Sequence, residues 1–276
     1  MRIFKLIIFY IIIMGFTVTN INTSEYDSNI ELGRNNDPKI VEDISRFKLW
    51  LNKRKWEFLT IPGLRQWTRL IYPESTISHF ITDEKIVAFT IDDGFCGLDN
   101  PDGCMIEEVR MLFKKYNSKA TFFTTGSHCE NAKYSEVIKL LQDGHELANH
   151  GMYDTPYNNF SSEDFKKDLE MTDSVLKQYT NTIPNFYRSP HARYSKEMDD
   201  ILNEKGLIHV VCDAFAIDTS TPDPRWISNY IIKKTKPGSI LLIHMPEKGV
   251  REWNLEAMEL TLQKLKEKGY KVETLS

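Results

Sequence analysis

The sequence from Lys85 to the C-terminus predicts an α/β domain built on a parallel β-sheet. Short apolar or β-branched runs alternate with longer stretches of helical periodicity over residues 85–276, and this alternation is typical of βαβ units. Gly144, Gly206 and Gly269 follow three of the helical stretches, where glycine is a common helix stop. Such a sheet is either open and doubly wound or closed into a barrel, and the periodicity leaves both possibilities open.

Seven apolar or β-branched runs are predicted as strands, and they cover residues 85–91, 119–125, 145–149, 185–188, 207–212, 239–244 and 270–275. Between the runs, Ser161 and Ser162 stand where a helix N-cap belongs, ahead of an amphipathic stretch that extends through Tyr179. The last helical stretch begins at Asn254 and has one apolar face, formed by Leu255, Met258, Leu262 and Leu265.

The first residues predict a signal peptide, placed at residues 1–24. Arg2 and Lys5 precede an apolar run over residues 6–16, which is the order of a secretory signal. The run is shorter than the roughly 20 residues that a membrane span needs. We therefore expect a secreted or cell-surface protein with no stable membrane span after cleavage, and a retained signal anchor is the alternative.

Residues 25–84 are predicted as a polar linker followed by an aromatic N-terminal extension. Residues 25–45 are polar and acidic without apolar periodicity. From residue 46 onward, aromatic side chains are frequent, namely Phe47, Trp50, Trp56, Phe58, Trp67 and Tyr72. We expect these side chains to pack on the main domain, residues 85–276, as a lid rather than to form a separate sugar-binding surface.

Charge and composition exclude several classes of protein. The chain has 35 basic and 39 acidic residues, a net charge of −4, which argues against a nucleic-acid partner. An apolar content of 41% is too high for a disordered chain. Secretion would make the four cysteines candidates for disulfides, and Cys96 with Cys104, which flank a loop rich in Gly, Pro and Asp, is the favoured pair.

Five of the predicted strands end in, or are directly followed by, polar or ionisable residues, namely Asp92 and Asp93, His150, Arg188, Asp213 and His244. The carboxyl ends of parallel strands form the active face of α/β folds. Each position alone has an ordinary explanation, since an Asp-Gly pair is usually a turn and a lone histidine is usually hydrogen-bonded within the core. Five such positions together predict a functional site.

The order of these motifs resembles that of the polysaccharide deacetylase family, the NodB-homology carbohydrate esterases. The motifs are TIDDG, NHGMYD, YRSP, an acidic loop over Asp213 to Asp218, and LLIH, and they occur in the family's order. The segment ATFFTTG and the closing KGYKVETLS are also similar to family sequences. The resemblance covers residues 85–276, and it implies a distorted parallel (β/α) barrel of about seven strands with a metal-dependent amide hydrolase site.

The resemblance implies an acid and a base for amide hydrolysis. Asp92 would be the general base, held ionised and oriented by Arg188. His244 would be the general acid, and Asp218, with Asp213 as the alternative, would orient it and raise its pKa. The chemistry itself requires these residue types, because an amide needs an activated water and a proton for its departing amine.

The resemblance also implies one divalent metal ion, bound by Asp93, His150 and Asp154. Asp154 replaces the family's second histidine, so the ligand set becomes one histidine and two carboxylates; zinc is expected, with manganese or another ion left open. Leu242 would line the pocket for the acetyl methyl group. The backbone N–H of His191, which stands where the family usually has an aromatic residue, would stabilise the oxyanion.

With the predicted signal peptide, the resemblance implies a secreted hydrolase that removes N-acetyl groups from an N-acetylated glycan, either chitin-like or a related polysaccharide. Two alternatives remain open. Asp154 and the absence of a tryptophan in the acidic loop also suit a carbohydrate-binding homologue that has lost catalysis. Because a barrel does not determine its substrate, an amidohydrolase acting on a non-sugar linear amide is the second alternative.

Overall fold

The computed structural model describes residues 38–61, 63–181 and 185–276. The chain divides into two compact units, Met1–Pro62 and Gly63–Ser276. The described part of the first unit is one helix, α1 (Pro38–Leu59), on which Phe47 and Trp50 stack with ring centroids 6.0 Å apart. The predicted signal peptide lies outside the described residues. Among the helices that are described, none is both long and apolar enough to cross a membrane.

The first unit contains more helix than the sequence suggested. Helix α1 begins at Pro38, inside the segment predicted as a polar linker, and proline is well suited to the first position of a helix. Helical structure here does not need an apolar stripe, because lysine, arginine, glutamate and leucine favour helices intrinsically. That its aromatic side chains form a lid stays a prediction.

The second unit is a distorted (β/α) barrel, as predicted. Its strands are β1 (Ile86–Gly94), β2 (Thr121–Thr124), β3 (Glu146–Asn149), β4 (Phe186–Tyr187), β5 (Ile208–His209), β6 (Ala214–Phe215), β7 (Ile240–His244) and β8 (Lys271–Glu273). All of the pairings between them are parallel, in the order β5-β4-β3-β2-β1-β7-β6, which is a path of seven strands. Strand β8 pairs with the start of β1.

Helices connect the strands, as parallel pairing requires. Helix α2 (Leu64–Ile71) precedes β1, and the connecting helices are α3 (Ile106–Lys115), α4 (Tyr134–Gln142), α5 (Ser162–Leu176), α6 (Lys196–Lys205), α7 (Pro224–Lys234) and α8 (Trp253–Glu267). The predicted cap of α5 is present, because the Ser161 hydroxyl accepts a hydrogen bond from the backbone N–H of Asp164 at 3.1 Å. Gly206 ends α6 with φ of 68°, the left-handed conformation that glycine adopts without strain.

Each predicted strand run contains an observed strand, and one strand was missed. Strand β6 has only two residues and lies within the acidic loop, so it offers no alternating pattern to detect. The compact unit also begins at Gly63, earlier than Lys85. Residues before β1 join the barrel through isolated bridges from Ile77 to Val210 and from His79 to Ser239.

The barrel interior is filled by one apolar cluster. Its buried members come from six of the strands and the segments after them, and they are Ala88, Phe123, Ala148, Val210, Cys212, Ile240, Leu242 and Leu275. Side chains alternate along a strand, so the residue two positions beyond an interior one points the same way. Asp92 lies four residues after the interior residue Ala88, and His244 lies two residues after the interior residue Leu242. Both side chains therefore point inward, at the mouth of the barrel.

Candidate active site

Strands β1 and β7 place Asp92 directly beside His244. The two strands pair in parallel, and Asp92 is the register partner of His244 at the carboxyl end of both. Register partners on neighbouring strands point to the same face of the sheet. The two residues predicted as base and acid are therefore adjacent, although 152 positions of sequence separate 92 from 244.

A bulge at the end of β1 allows two consecutive aspartates to serve one site. In a regular strand Asp92 and Asp93 would point to opposite faces. The pairing of β1 with β2 shifts register between Asp92 and Gly94, and Asp93 has φ of 60°. Both side chains consequently lie near His150, whose Nε2 is 3.9 Å from an oxygen of Asp92 and 3.6 Å from one of Asp93.

Arg188 holds Asp92 by one oxygen. Its Nη1 donates to Oδ1 of Asp92 at 2.5 Å and to the hydroxyl of Thr90 at 2.9 Å, and its Nε donates to the Val210 carbonyl at 3.2 Å. The guanidinium carbon lies 4.0 Å from the centre of the Phe123 ring. Both members of this ion pair are buried, which is tolerable because each is paired and hydrogen-bonded. The second oxygen of Asp92, Oδ2, remains directed toward His150.

Asp218 orients His244. The ring Nδ1 of His244 lies 3.0 and 3.1 Å from the two carboxylate oxygens of Asp218, and the backbone N–H of His244 donates to Asp218 at 2.7 Å. Asn254 also donates to Asp218, at 3.0 Å. Asp213, the alternative acid, instead pairs with Arg65 at 2.5 Å. Of the two acids, only Asp218 contacts the histidine, and it does so through Nδ1 and the backbone N–H.

The ion pair changes the protonation of His244. Burial by itself lowers the pKa of this imidazole, but the charge and hydrogen bond of Asp218 outweigh burial and raise the pKa to about 9. Burial likewise opposes ionisation of Asp218, yet His244 brings the pKa of that carboxyl below its ordinary value. At neutral pH the pair is therefore a carboxylate and an imidazolium, the protonated form that a general acid needs.

Asp93 and His150 have the separation of two ligands of one metal ion. Nδ1 of His150 donates to the Arg188 carbonyl at 2.8 Å, so Nε2 is the ring nitrogen directed toward the aspartates, and it would have to lose its proton to bind a metal ion. Two donor atoms about 2.1 Å from a tetrahedral ion lie about 3.4 Å apart, close to the observed 3.6 Å between Nε2 and Oδ1 of Asp93. This pair fits two positions of a divalent metal site.

The surroundings of this pair favour the ionised form of both side chains. Burial raises the pKa of Asp93, but the hydrogen bond from His150 and the charge of Arg251 hold it well below its usual range. Burial lowers the pKa of His150, whereas the charges of Asp92 and Asp93 raise it above its ordinary value. Asp93 is thus ionised at neutral pH, the state in which a carboxylate binds metal.

The structure pairs Asp154 with His191. Oδ1 of Asp154 lies 3.1 Å from Nε2 of His191, and their side chains are 42% and 39% exposed. His191 and Ala192 adopt φ of 55° and 54° in the turn over Pro190–Ala192, a conformation that is strained for residues with a side chain. Within the described ranges, no three His, Cys, Asp or Glu side chains gather closely enough to hold a metal ion. Asp93 and His150 are thus brought together, and Asp154 is engaged separately.

Two residues near the site were not identified from the sequence. Arg251, in the loop after β7, donates from Nη1 to Oδ2 of Asp93 at 2.7 Å. His209 lies at the end of β5, where its Nε2 is 3.3 Å from the hydroxyl of Ser189 and its ring stacks on Tyr194 at 3.8 Å. Burial lowers the pKa of His209 to about 3, so it supports Ser189 as a neutral imidazole. Neither residue is adjacent to a motif in the sequence, since Arg251 lies seven positions after His244 and His209 lies within a predicted strand, so no sequence signal marked them.

The predicted Cys96–Cys104 disulfide is present beside the site. The two Cα atoms are 5.1 Å apart, and the bridge closes the loop that follows β1. Cys129 and Cys212 are free and buried. Burial raises the pKa of the Cys129 thiol to about 12, so it is an unreactive thiol at neutral pH.

Comparison with known proteins identifies related sequences and folds. A sequence model described as polysaccharide deacetylase matches residues 81–210. A peptidoglycan-N-acetylglucosamine deacetylase of Bacillus cereus is 29% identical over 196 residues, 70% of this chain and 88% of that protein. The structure of the Bc1960 peptidoglycan N-acetylglucosamine deacetylase superimposes with a TM-score of 0.66 at 22% identity, over 73% and 91% of the two chains. A CE4 family pseudoenzyme from Bacillus anthracis gives 0.64 at 22% identity, over 74% and 68%.

Proposed function

Because the chain belongs to the polysaccharide deacetylase family, as a divergent member, we propose that it is a metal-dependent hydrolase that removes N-acetyl groups from a glycan. The observation that carries this proposal is the pairing of Asp92 with His244 in register at the barrel mouth. Each has its own partner of opposite charge, Arg188 for the aspartate and Asp218 for the histidine. A base and an acid prepared in this way, side by side, are what amide hydrolysis requires.

The two residues move one proton each. Asp92 takes a proton from the attacking water through Oδ2, the oxygen that Arg188 leaves unengaged. His244 gives its Nε2 proton to the nitrogen of the departing amine, while Asp218 stabilises the imidazolium before transfer. Leu242, on the same strand face as His244, is proposed to contact the acetyl methyl group. The backbone N–H of His191 is proposed to stabilise the oxyanion.

Asp93 and His150 are the residues that would hold the metal. When bound, a divalent ion polarises the acetyl carbonyl and lowers the pKa of the attacking water. A histidine nitrogen with a carboxylate oxygen suits zinc, our proposed ion, and also manganese. We retain Asp154 as the proposed third ligand, in which case metal binding has to draw it from His191, 3.1 Å away.

The proposed substrate is an N-acetylated glycan of the peptidoglycan type. The relative from Bacillus cereus is named for N-acetylglucosamine in peptidoglycan, which supports that glycan over chitin. Such a polymer lies outside the cytoplasm. The basic residues and apolar run at the N-terminus support export, so we propose that the protein acts outside the membrane.

The experiment combines metal analysis with acetate release by the full chain. Wild type, Asp92→Asn and Asp154→His are assayed on peptidoglycan and on chitooligosaccharides. Asp143→Asn is the matched control, because Asp143 is also paired with an arginine, Arg110, at the opposite end of the strands. We expect near-stoichiometric metal in all four proteins, with acetate release lost in Asp92→Asn alone.

Other outcomes would replace this proposal. If wild type binds no metal and releases no acetate, but Asp154→His gains both, the natural protein is a carbohydrate-binding homologue that has lost catalysis. If wild type binds metal but releases acetate from neither glycan, the substrate is a different amide.

A further inference from the structure

We propose that Arg251 is a positioning residue that restricts Asp93 to one free oxygen and thereby weakens the affinity of the site for metal. This inference rests on the proposed function, since it concerns the same metal site. Arg251 lies outside the five motifs, and those motifs do not determine the affinity of the site for metal.

The two oxygens of Asp93 have different partners. Oδ1 lies 3.6 Å from Nε2 of His150, on the side where a metal would bind. Oδ2 accepts a hydrogen bond from Nη1 of Arg251 at 2.7 Å. The side chains of Asp93 and Arg251 are 10% and 14% exposed, so solvent screens this contact weakly. A metal and a guanidinium would therefore share the charge of a single carboxylate.

Arg251 is held in place by its surroundings. Its Nη2 lies 3.6 Å from Oε1 of Glu247, which is buried. The other oxygen of Glu247 accepts from the backbone N–H of Gly97 at 3.1 Å and from the side chain of Asn100 at 3.2 Å, both within the loop that the Cys96–Cys104 disulfide closes. The guanidinium thus lies between two buried carboxylates, those of Asp93 and Glu247.

The backbone conformation at Arg251 also indicates that the surrounding structure holds this residue in place. Arg251 has φ of 62°, a left-handed conformation that costs free energy in any residue with a side chain. Its Nε is buried and has no hydrogen-bond partner in the described part of the chain. The two Nη atoms, in contrast, contact the carboxylates of Asp93 and Glu247.

Sharing one carboxylate has a consequence for metal binding. Like charges repel strongly in a buried site, so the guanidinium opposes a cation on the other oxygen. It also blocks Oδ2, which prevents Asp93 from binding through both oxygens. Replacement of Arg251 by an uncharged residue removes both effects. Loss of a partner that orients a metal ligand usually costs about 10–100-fold in metal affinity. Arg251 is instead a cation that opposes the metal, so the effect should have the opposite sign, and we expect Arg251→Gln to lower the Kd for zinc by about tenfold.

The test measures the zinc Kd of the full chain by competition with a chromophoric chelator, after removal of bound metal. Arg251→Gln and Arg251→Met remove the charge, and Arg251→Lys keeps it. Arg110→Gln is the matched control, because Arg110 is a buried arginine with two carboxylate partners on α3 and at the end of α4. We expect both uncharged variants to bind zinc more tightly, and Arg251→Lys and Arg110→Gln to stay near wild type.

A cobalt(II) spectrum gives a second readout that a purely structural role would not change. Release of Oδ2 in Arg251→Gln should alter the visible absorption of the bound ion, whereas Arg251→Lys should preserve the wild-type spectrum. The inference is overturned if the uncharged variants that fold bind zinc no more tightly than wild type. It is also overturned if Arg251→Lys binds zinc as tightly as the uncharged variants do. Because neither readout uses acetate release, a failure of the proposed activity is distinguished from a failure of this inference.

Discussion

Replacement of Asp218 by asparagine should move the alkaline limit of activity to lower pH. Asp218 contacts Nδ1 of His244 at 3.0 Å, and its charge is what raises the pKa of the imidazole above the ordinary 6.5 to about 9. Asparagine has nearly the same shape but no charge. Burial and the charge of Arg251 then lower the pKa of His244 against the opposing charge of Asp93, and we expect the pKa to fall to 6.5 or below.

The magnitude follows from these two pKa values. A rise from 6.5 to about 9 corresponds to about 3 kcal/mol in favour of the imidazolium. At pH 8, His244 is about 90% protonated with a pKa of about 9 and about 3% protonated with a pKa of 6.5. If His244 is the general acid, kcat/KM at pH 8 should therefore fall about 30-fold in Asp218→Asn, with a much smaller loss at pH 6.

The assay is the pH dependence of kcat/KM for acetate release, from pH 5 to 10. Asp143→Asn serves as the control, since Asp143 is paired with Arg110 away from the site. NMR titration of the His244 ring measures its pKa independently of activity. An alkaline limit that stays in place in Asp218→Asn, together with an unchanged His244 pKa, would refute the assignment of Asp218 as the group that tunes the acid.

The same ion pair predicts how stability depends on pH. The folded pKa of His244 lies above its unfolded value, so its contribution is complete below pH 6.5 and is lost as the pH rises through about 9. We expect wild type to lose up to about 3 kcal/mol from this group across that range. Urea unfolding at several pH values should show this loss in wild type and little of it in Asp218→Asn.

Three further predictions concern other parts of the site. His244→Ala should lower kcat on the glycan by about 10²–10⁴-fold, but should affect an aryl acetate ester much less, because a good leaving group needs no proton; equal losses on both substrates would contradict its role as acid. Arg188→Met leaves the buried Asp92 unpaired and should cost about 3–5 kcal/mol in urea unfolding, and a loss below about 1 kcal/mol would contradict the buried ion pair. Cys96→Ser with Cys104→Ser should cost about 2.5 kcal/mol, and dithiothreitol should destabilise wild type but leave the double variant unchanged.

The sequence was sufficient to place Asp92, His150, Arg188 and His244 at the carboxyl ends of strands, whereas Asp213 directly precedes β6 and bonds to the start of β7. Apolar runs such as SILLIH mark a strand and show where it ends, so His244 could be placed at a strand terminus. Periodicity does not show which strands are neighbours. The adjacency of Asp92 and His244 depends on β1 pairing with β7, strands distant in the chain, and only the motif order suggested that these residues act together.

Contacts between loops were beyond the reach of sequence patterns. Asp154 and His191 were assigned separate roles, as metal ligand and as oxyanion donor, whereas the structure joins their side chains at 3.1 Å. Arg251 reaches Asp93 from a turn with φ of 62°, a conformation that arginine does not signal in a sequence. Both contacts depend on backbone conformations that the surrounding structure imposes on non-glycine residues.

The central claim is that the pair of Asp92 and His244 catalyses deacetylation with one bound metal ion. Its most direct test is acetate release from peptidoglycan by metal-free full chain as zinc is added back in steps. We predict that activity rises linearly, reaches a plateau at one zinc per chain and is absent throughout in Asp92→Asn. Acetate release that is equal in wild type and Asp92→Asn at every zinc concentration, or absent from both, would contradict the claim.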